Sequence, residues 1–189
     1  MTKRATYDDV LNAPENKVAE ILDGELFLSP RPGPSHGLAA SSLGMAIGGP
    51  FHHGHGGPGG WWILDEPELH LADHVVVPDL AGWRRARMPS LPADAFYSLP
   101  PDWVCEVLSP STERIDRGRK LRIYAQADVA HTWLVNPVER TVEVLRLENG
   151  GWRIVAVFTG GEPVRAEPFD AVQLALGELW PDSPLANRP

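Results

Sequence analysis

The stretch Trp103-Val104-Cys105-Glu106-Val107-Leu108 decides the fold. Apart from Glu106 it is apolar throughout, the pattern of a strand buried on both faces, as a parallel or central strand is. Alternation along a strand puts Trp103, Cys105 and Val107 on one face and Val104, Glu106 and Leu108 on the other. A carboxylate therefore stands among apolar neighbours. Burying an unpaired charge costs several kcal/mol, so the surrounding fold must supply a cation, a metal or a proton.

Downstream, residues 117–127 have helical periodicity, with Leu121, Tyr124 and Ala125 at i, i+3 and i+4. Residues 131–135 return to strand. Strand, helix and strand within 103–135 predict a right-handed crossover and hence a mixed α/β sheet. Residues 141–147 and 152–158, around Asn149-Gly150-Gly151, predict a C-terminal β-hairpin, and 174–179 a last short helix.

Upstream, Thr6-Tyr7-Asp8-Asp9 resembles a capping box that opens a short helix ended by Pro14. Residues 18–22 and 25–29 flank Asp23-Gly24, a two-residue turn signal that predicts an N-terminal hairpin. Pro30-Arg31-Pro32-Gly33-Pro34 excludes helix and central strand, after which Ser35 caps a helix carrying Leu38, Leu43 and Ile47. That helix stops at Gly48-Gly49-Pro50. A mobile loop is expected over 51–60, then strands at 61–64, 68–71 and 75–77, the last closed by Pro78.

With 189 residues and a 43% hydrophobic fraction the chain can build one domain, with a core over about 6–180 and residues 181–189 as a flexible tail. No apolar run approaches the ~18 residues of a membrane helix, and the start turns acidic before a signal peptide could form, so a cytosolic location and no membrane partner are expected. The single cysteine, Cys105, excludes an internal disulfide and any multi-cysteine metal site. The net charge of −8 opposes nonspecific attraction to phosphate backbones. The cations are nevertheless clustered, at Arg84, Arg85 and Arg87 and again at Arg114, Arg117, Arg119, Lys120 and Arg122; they form either a local basic surface or solvated helix and loop faces.

Asp79 follows Pro78 at the end of an apolar strand and offers a second carboxylate to set beside Glu106. Two carboxylates at adjacent strand ends suit a hard divalent cation, which takes oxygen ligands and keeps some of its waters. Lys120 lies near the start of the crossover helix. Either it reaches back over the strand ends, to orient or deprotonate a water and stabilise charge on a phosphoryl oxygen, or it pairs with Asp116 at i+4 on a surface helix.

The ordered set Pro78-Asp79, Glu106-Val107-Leu108-Ser109-Pro110-Ser111-Thr112, Asp116-Arg117-Gly118-Arg119-Lys120 and Tyr124 resembles the Uma-two family of restriction-endonuclease-like proteins. Glu20, Asp23-Gly24-Glu25-Leu26, Ser29-Pro30, His36, Trp133-Leu134-Val135 and Pro137 add to the resemblance, which covers roughly residues 6–180. Members of that family are similar to PD-(D/E)XK nucleases with the lysine moved from the strand onto the following helix. The resemblance implies a restriction-endonuclease-like mixed β-sheet flanked by helices and a Mg²⁺- or Mn²⁺-dependent endonuclease acting on DNA. Asp79 and Glu106 would be metal ligands, Lys120 would lie beside the attacking water, and Glu20 and His36 would be auxiliary. The chain departs from the simple nuclease pattern in that no lysine lies two residues after Glu106.

Other readings stay open. The same fold could serve as a non-catalytic module for self-association or partner binding, or as a phosphoesterase for small molecules. The terminal hairpin and the Trp-rich strands could form a homodimer patch. Glu66 or Glu68 could join the pocket or face solvent; His52, His53 and His55 sit in a glycine-rich loop that fixes no ligand geometry; Cys105 reads as a small buried hydrophobe, and the tryptophans as core.

Overall fold

The computed structural model describes residues 4–180; the tail expected over 181–189 lies outside them. Helix α1 (Tyr7–Leu11) opens with the anticipated capping box between Thr6 and Asp9. Strands β1 (Lys17–Leu22) and β2 (Glu25–Pro30) pair antiparallel down to Leu22 opposite Glu25. Asp23 and Gly24 both hold positive φ, 57° and 78°, so the backbone twist of a two-residue hairpin turn is met by residues that tolerate it. Helix α2 (Pro34–Ile47) then runs into a π-helical turn, Gly48–His52, so the first two residues of the expected loop still belong to the helix end.

Strands β3 (Trp61–Asp65), β4 (Leu69–Leu71) and β5 (His74–Val76) follow as expected. Strand β6 (Leu80–Arg84) is not apparent in the sequence, where Pro78, Gly82 and two arginines disguise it. Asp79 therefore precedes a strand rather than ending one. Gly82 is required by packing: a Cβ there would lie 3.1 Å from Ile63 and 3.3 Å from the Trp103 and Trp61 rings. Strand β7 (Trp103–Val107) is buried along its whole length, and the crossover helix that follows has three parts: α3 (Glu113–Ile115), a π-helical turn at Asp116–Lys120, and α4 (Leu121–Gln126). It starts four residues earlier than periodicity suggests.

Strand β8 (His131–Asn136) pairs parallel with β7, while β6 pairs antiparallel with it on the other side. The long hairpin of β9 (Thr141–Glu148) and β10 (Gly151–Thr159) turns at Asn149 and Gly150, which again share positive φ. Short strands β11 (Pro163–Val164) and β12 (Leu174–Ala175) precede a 3-10 turn, Leu176–Leu179, where a helix was expected.

The result is a six-stranded mixed sheet, ordered β10-β9-β8-β7-β6-β3, and a four-stranded sheet, ordered β2-β1-β5-β4. The larger sheet is covered on both faces. One face packs against α2 and the C-terminal segment, with Phe169 at the centre of Phe51, Trp61, Trp103 and Trp133. The opposite face, which carries Val104, packs against the smaller sheet and α4 through Leu22, Val76, Trp83, Ile123 and Tyr124. Glu106 shares the second face, so the acid points at β1 and the crossover helix. Among the described residues no helix is long and apolar enough to cross a membrane.

Candidate active site

Four segments converge over the end of β7. The pairing of Leu80 with Cys105 sets Asp79 beside the C-terminal half of β7, and the Asp79 carboxylate accepts the Val107 backbone N–H at 2.6 Å. Its other oxygen lies 2.7 Å from His36 Nε2, near the start of α2. Strand β1 supplies Glu20, which accepts the Val77 N–H at 2.8 Å. The π-helical turn supplies Lys120, whose Nζ lies 2.9 Å from Glu106, 3.2 Å from Glu20 and 3.8 Å from Asp116, and donates to the Val77 carbonyl at 3.1 Å. Tyr124 Oη closes the cluster with a short hydrogen bond to the second Glu106 oxygen.

All five residues singled out in the sequence, Glu20, His36, Asp79, Glu106 and Lys120, thus line one open cavity of about 200 Å³. Of the two readings of Lys120, the pair with Asp116 is present at 3.8 Å but is not on the surface, since both side chains are buried. Asp116 and Tyr124 are the cluster members that the sequence reading did not select. Their signal was present, since Asp116, Lys120 and Tyr124 at i, i+4 and i+8 share one helix face.

The electrostatics follow from three acids around one ammonium, with Asp79 close enough to act on Glu106 and Asp116. Burial pushes the Glu106 carboxyl well above the ordinary carboxylate range; Lys120 opposes this, while Asp116, Asp79 and Glu20 add to it. Burial raises Asp116 in the same way, against Lys120. For Lys120 burial alone would favour the neutral amine, but Glu106 and Glu20 outweigh it and hold the group well above its usual value. Lys120 is therefore a fixed positive charge. Burial, followed by Glu106, also raises Tyr124, which keeps its proton and donates it.

An all-oxygen carboxylate set with a surplus of negative charge fits a hard divalent cation. Among the described residues no three His, Cys, Asp or Glu side chains are arranged to hold a metal.

Of the remaining candidates only Glu66 reaches the cavity. Glu66 lines the cavity rim, 3.6 Å from Arg31. Glu68 instead accepts from Tyr7 and lies 2.8 Å from His70. His52 is tied to the Ile63 backbone through Nδ1, and its ring packs against His53. Cys105 is buried, and burial, with Asp79 and Glu106, raises its thiol. In the first arginine cluster, Arg84 and Arg85 stack on Trp61 and Trp62 and Arg87 pairs with Asp102.

A mixed sheet with paired carboxylates and a helix-borne lysine at the strand ends defines a restriction-endonuclease-like protein. The family model "Uma2: Putative restriction endonuclease" matches residues 5–177, and the chain belongs to that family. A solved structure, described as a "putative nuclease belonging to DUF820 from Anabaena variabilis", superposes with a TM-score of 0.74 at 22% identity, covering 93% of this chain and 97% of that one. No curated protein matches. Family and fold together support a nuclease.

Proposed function

We propose that the protein is a Mg²⁺- or Mn²⁺-dependent endonuclease that hydrolyses DNA phosphodiester bonds at the Asp79–Glu106–Lys120 cluster. The observation that carries the reading is the convergence of Asp79, just before β6, and Glu106, on β7, with a buried ammonium in an open cavity. Asp79 and Glu106 would hold the cation. When bound, the cation supplies Lewis-acid stabilisation of charge on the scissile phosphate and lowers the pKa of an attacking water.

The chain's own residues account for the rest. In hydrolysis the water oxygen forms a bond to phosphorus, the bond to the leaving sugar oxygen breaks, water gives up a proton and the leaving oxygen gains one. Lys120, held as the ammonium, stabilises developing negative charge and orients the water rather than deprotonating it. Glu20 fixes Lys120 together with Glu106, and His36 fixes Asp79. Exposed Ile154 and Val157 on the edge strand β10 support a homodimer through the terminal hairpin, a state that light scattering would read.

DNA incubated with Mg²⁺ or Mn²⁺ is expected to be cut, with EDTA stopping the reaction. Asp79→Asn keeps an acceptor for the Val107 N–H and is expected to lower cleavage by about a hundredfold or more while the protein still unfolds cooperatively. Lys120→Ala is expected to lose cleavage as well. Cleavage unchanged in both variants overturns the assignment, and so does the absence of cutting with either ion.

A further inference from the structure

The crossover helix has a second, outward face. Arg114, Gly118 and Arg122 follow one another at i, i+4 and i+8, offset from the inward Asp116, Lys120 and Tyr124. With Phe27, Ile115 and Arg119 they line a cavity of about 650 Å³. Ile115 also lines the carboxylate pocket, so the two depressions adjoin.

Three features mark this surface. Arg114 is exposed and makes no ion pair among the described residues. Arg119 lies over the Phe27 ring, 4.8 Å from its centroid, and presents a flat guanidinium to solvent. Gly118 has open space where a Cβ would stand, leaving the helix backbone bare between two arginines. Arg119 pairs with Glu25 at 2.7 Å and Arg122 with Asp23 at 2.5 Å, so three guanidiniums face two carboxylates and the patch stays locally positive on a chain of net charge −8.

We propose that this groove binds the polynucleotide strand flanking the scissile phosphate, with Arg114, Arg119 and Arg122 meeting its phosphodiesters and the Gly118 gap admitting the backbone. The identity of the strand rests on the nuclease reading. Charge complementarity and continuity with the catalytic pocket select the occupant: an acidic protein must draw in a polyanion through whatever positive surface adjoins its site. Asp23 and Glu25 act as built-in competitors that the phosphates displace.

The test is fluorescence anisotropy of a labelled oligonucleotide with the full chain in EDTA, so that binding is read without cutting, in single-stranded and duplex arms at 50 and 200 mM salt. Gly118→Glu fills the gap with a negative charge where a side chain meets nothing, and is expected to weaken binding at least tenfold with no fall in the unfolding midpoint. Arg114→Ala is expected to weaken it severalfold and to reduce the salt slope by somewhat under one unit. Asp23→Asn keeps a residue suited to the positive φ of the turn and is expected to tighten binding. Loss in the single-stranded arm alone assigns the groove to an unpaired strand, and loss in both assigns it to one strand of a duplex. Affinity unchanged in both Gly118→Glu and Arg114→Ala overturns the proposal, as does a wild-type protein that binds neither oligonucleotide. Groove-dependent binding by a protein that never cuts would leave this inference standing and defeat the nuclease reading instead.

Discussion

Lys120 Nζ lies 2.9 Å from the Glu106 carboxylate, across 14 residues of sequence and from a different element. The pair stands almost without solvent, so each charge makes the other tolerable. Glu20 and Asp116 surround the same ammonium, which makes the arrangement a shared counter-charge rather than an isolated salt bridge.

Removing the cation should therefore cost more than removing one acid. Lys120→Met leaves three buried carboxylates without compensation and is expected to destabilise by about 3–5 kcal/mol. Glu106→Gln should cost less, because two acids still face the lysine. In a double-mutant cycle read from urea unfolding, the combined variant should fall short of the sum by at least about 1 kcal/mol. Additivity within roughly 0.5 kcal/mol would show that the two charges do not compensate each other.

The pH dependence has a definite sign. Glu106 and Asp116 titrate above their ordinary range when folded, so the folded state holds protons that the unfolded state has released. Stability then falls as pH rises above the ordinary carboxylate values of 4.5 and 3.8. Lys120 adds a loss in the same direction only above its ordinary 10.5. The difference in unfolding free energy between wild type and Glu106→Gln should thus change as pH rises above 4.5; a flat difference would mean that Glu106 titrates alike in the folded and unfolded states.

Tyr124 gives Glu106 a hydroxyl that no other group replaces in the described structure. Tyr124→Phe keeps the ring in the core beside Ile123 and removes only the donor. The expected cost is about 1.5–3 kcal/mol, the range for a hydrogen bond to a charged group. An unfolding midpoint equal to wild type would show that this contact contributes nothing.

Gly82 controls the seat of the strand that carries Asp79 toward β7. Gly82→Ala places a methyl against Ile63, Trp61 and Trp103, and overpacking of this kind costs about 1–3 kcal/mol. Because β6 must shift to relieve it, cleavage should fall together with stability, while the control Gly118→Ala should leave the unfolding midpoint equal or higher. A Gly82→Ala protein as stable as wild type would mean that the core yields there.

Much of this protein could be read from the chain alone, because the deciding signals are local. Asp-Gly and Asn-Gly fix two hairpins through positive φ, the apolar run at 103–107 fixes a central strand, and alternation within it assigns Glu106 a face. Other features required the assembled fold. Strand β6 has a glycine where aromatic rings from two other strands need room, so nothing in its own sequence announces it. The environment of Lys120 depends on a π-helical turn and on β1, nearly a hundred residues upstream, and whether its charge meets solvent or three acids is set by packing between sheets. Residue order determined which groups were available; only the docking of the small sheet and crossover helix onto the large one brought three carboxylates around a single ammonium, because interactions among charges depend on distance and burial rather than on position along the chain.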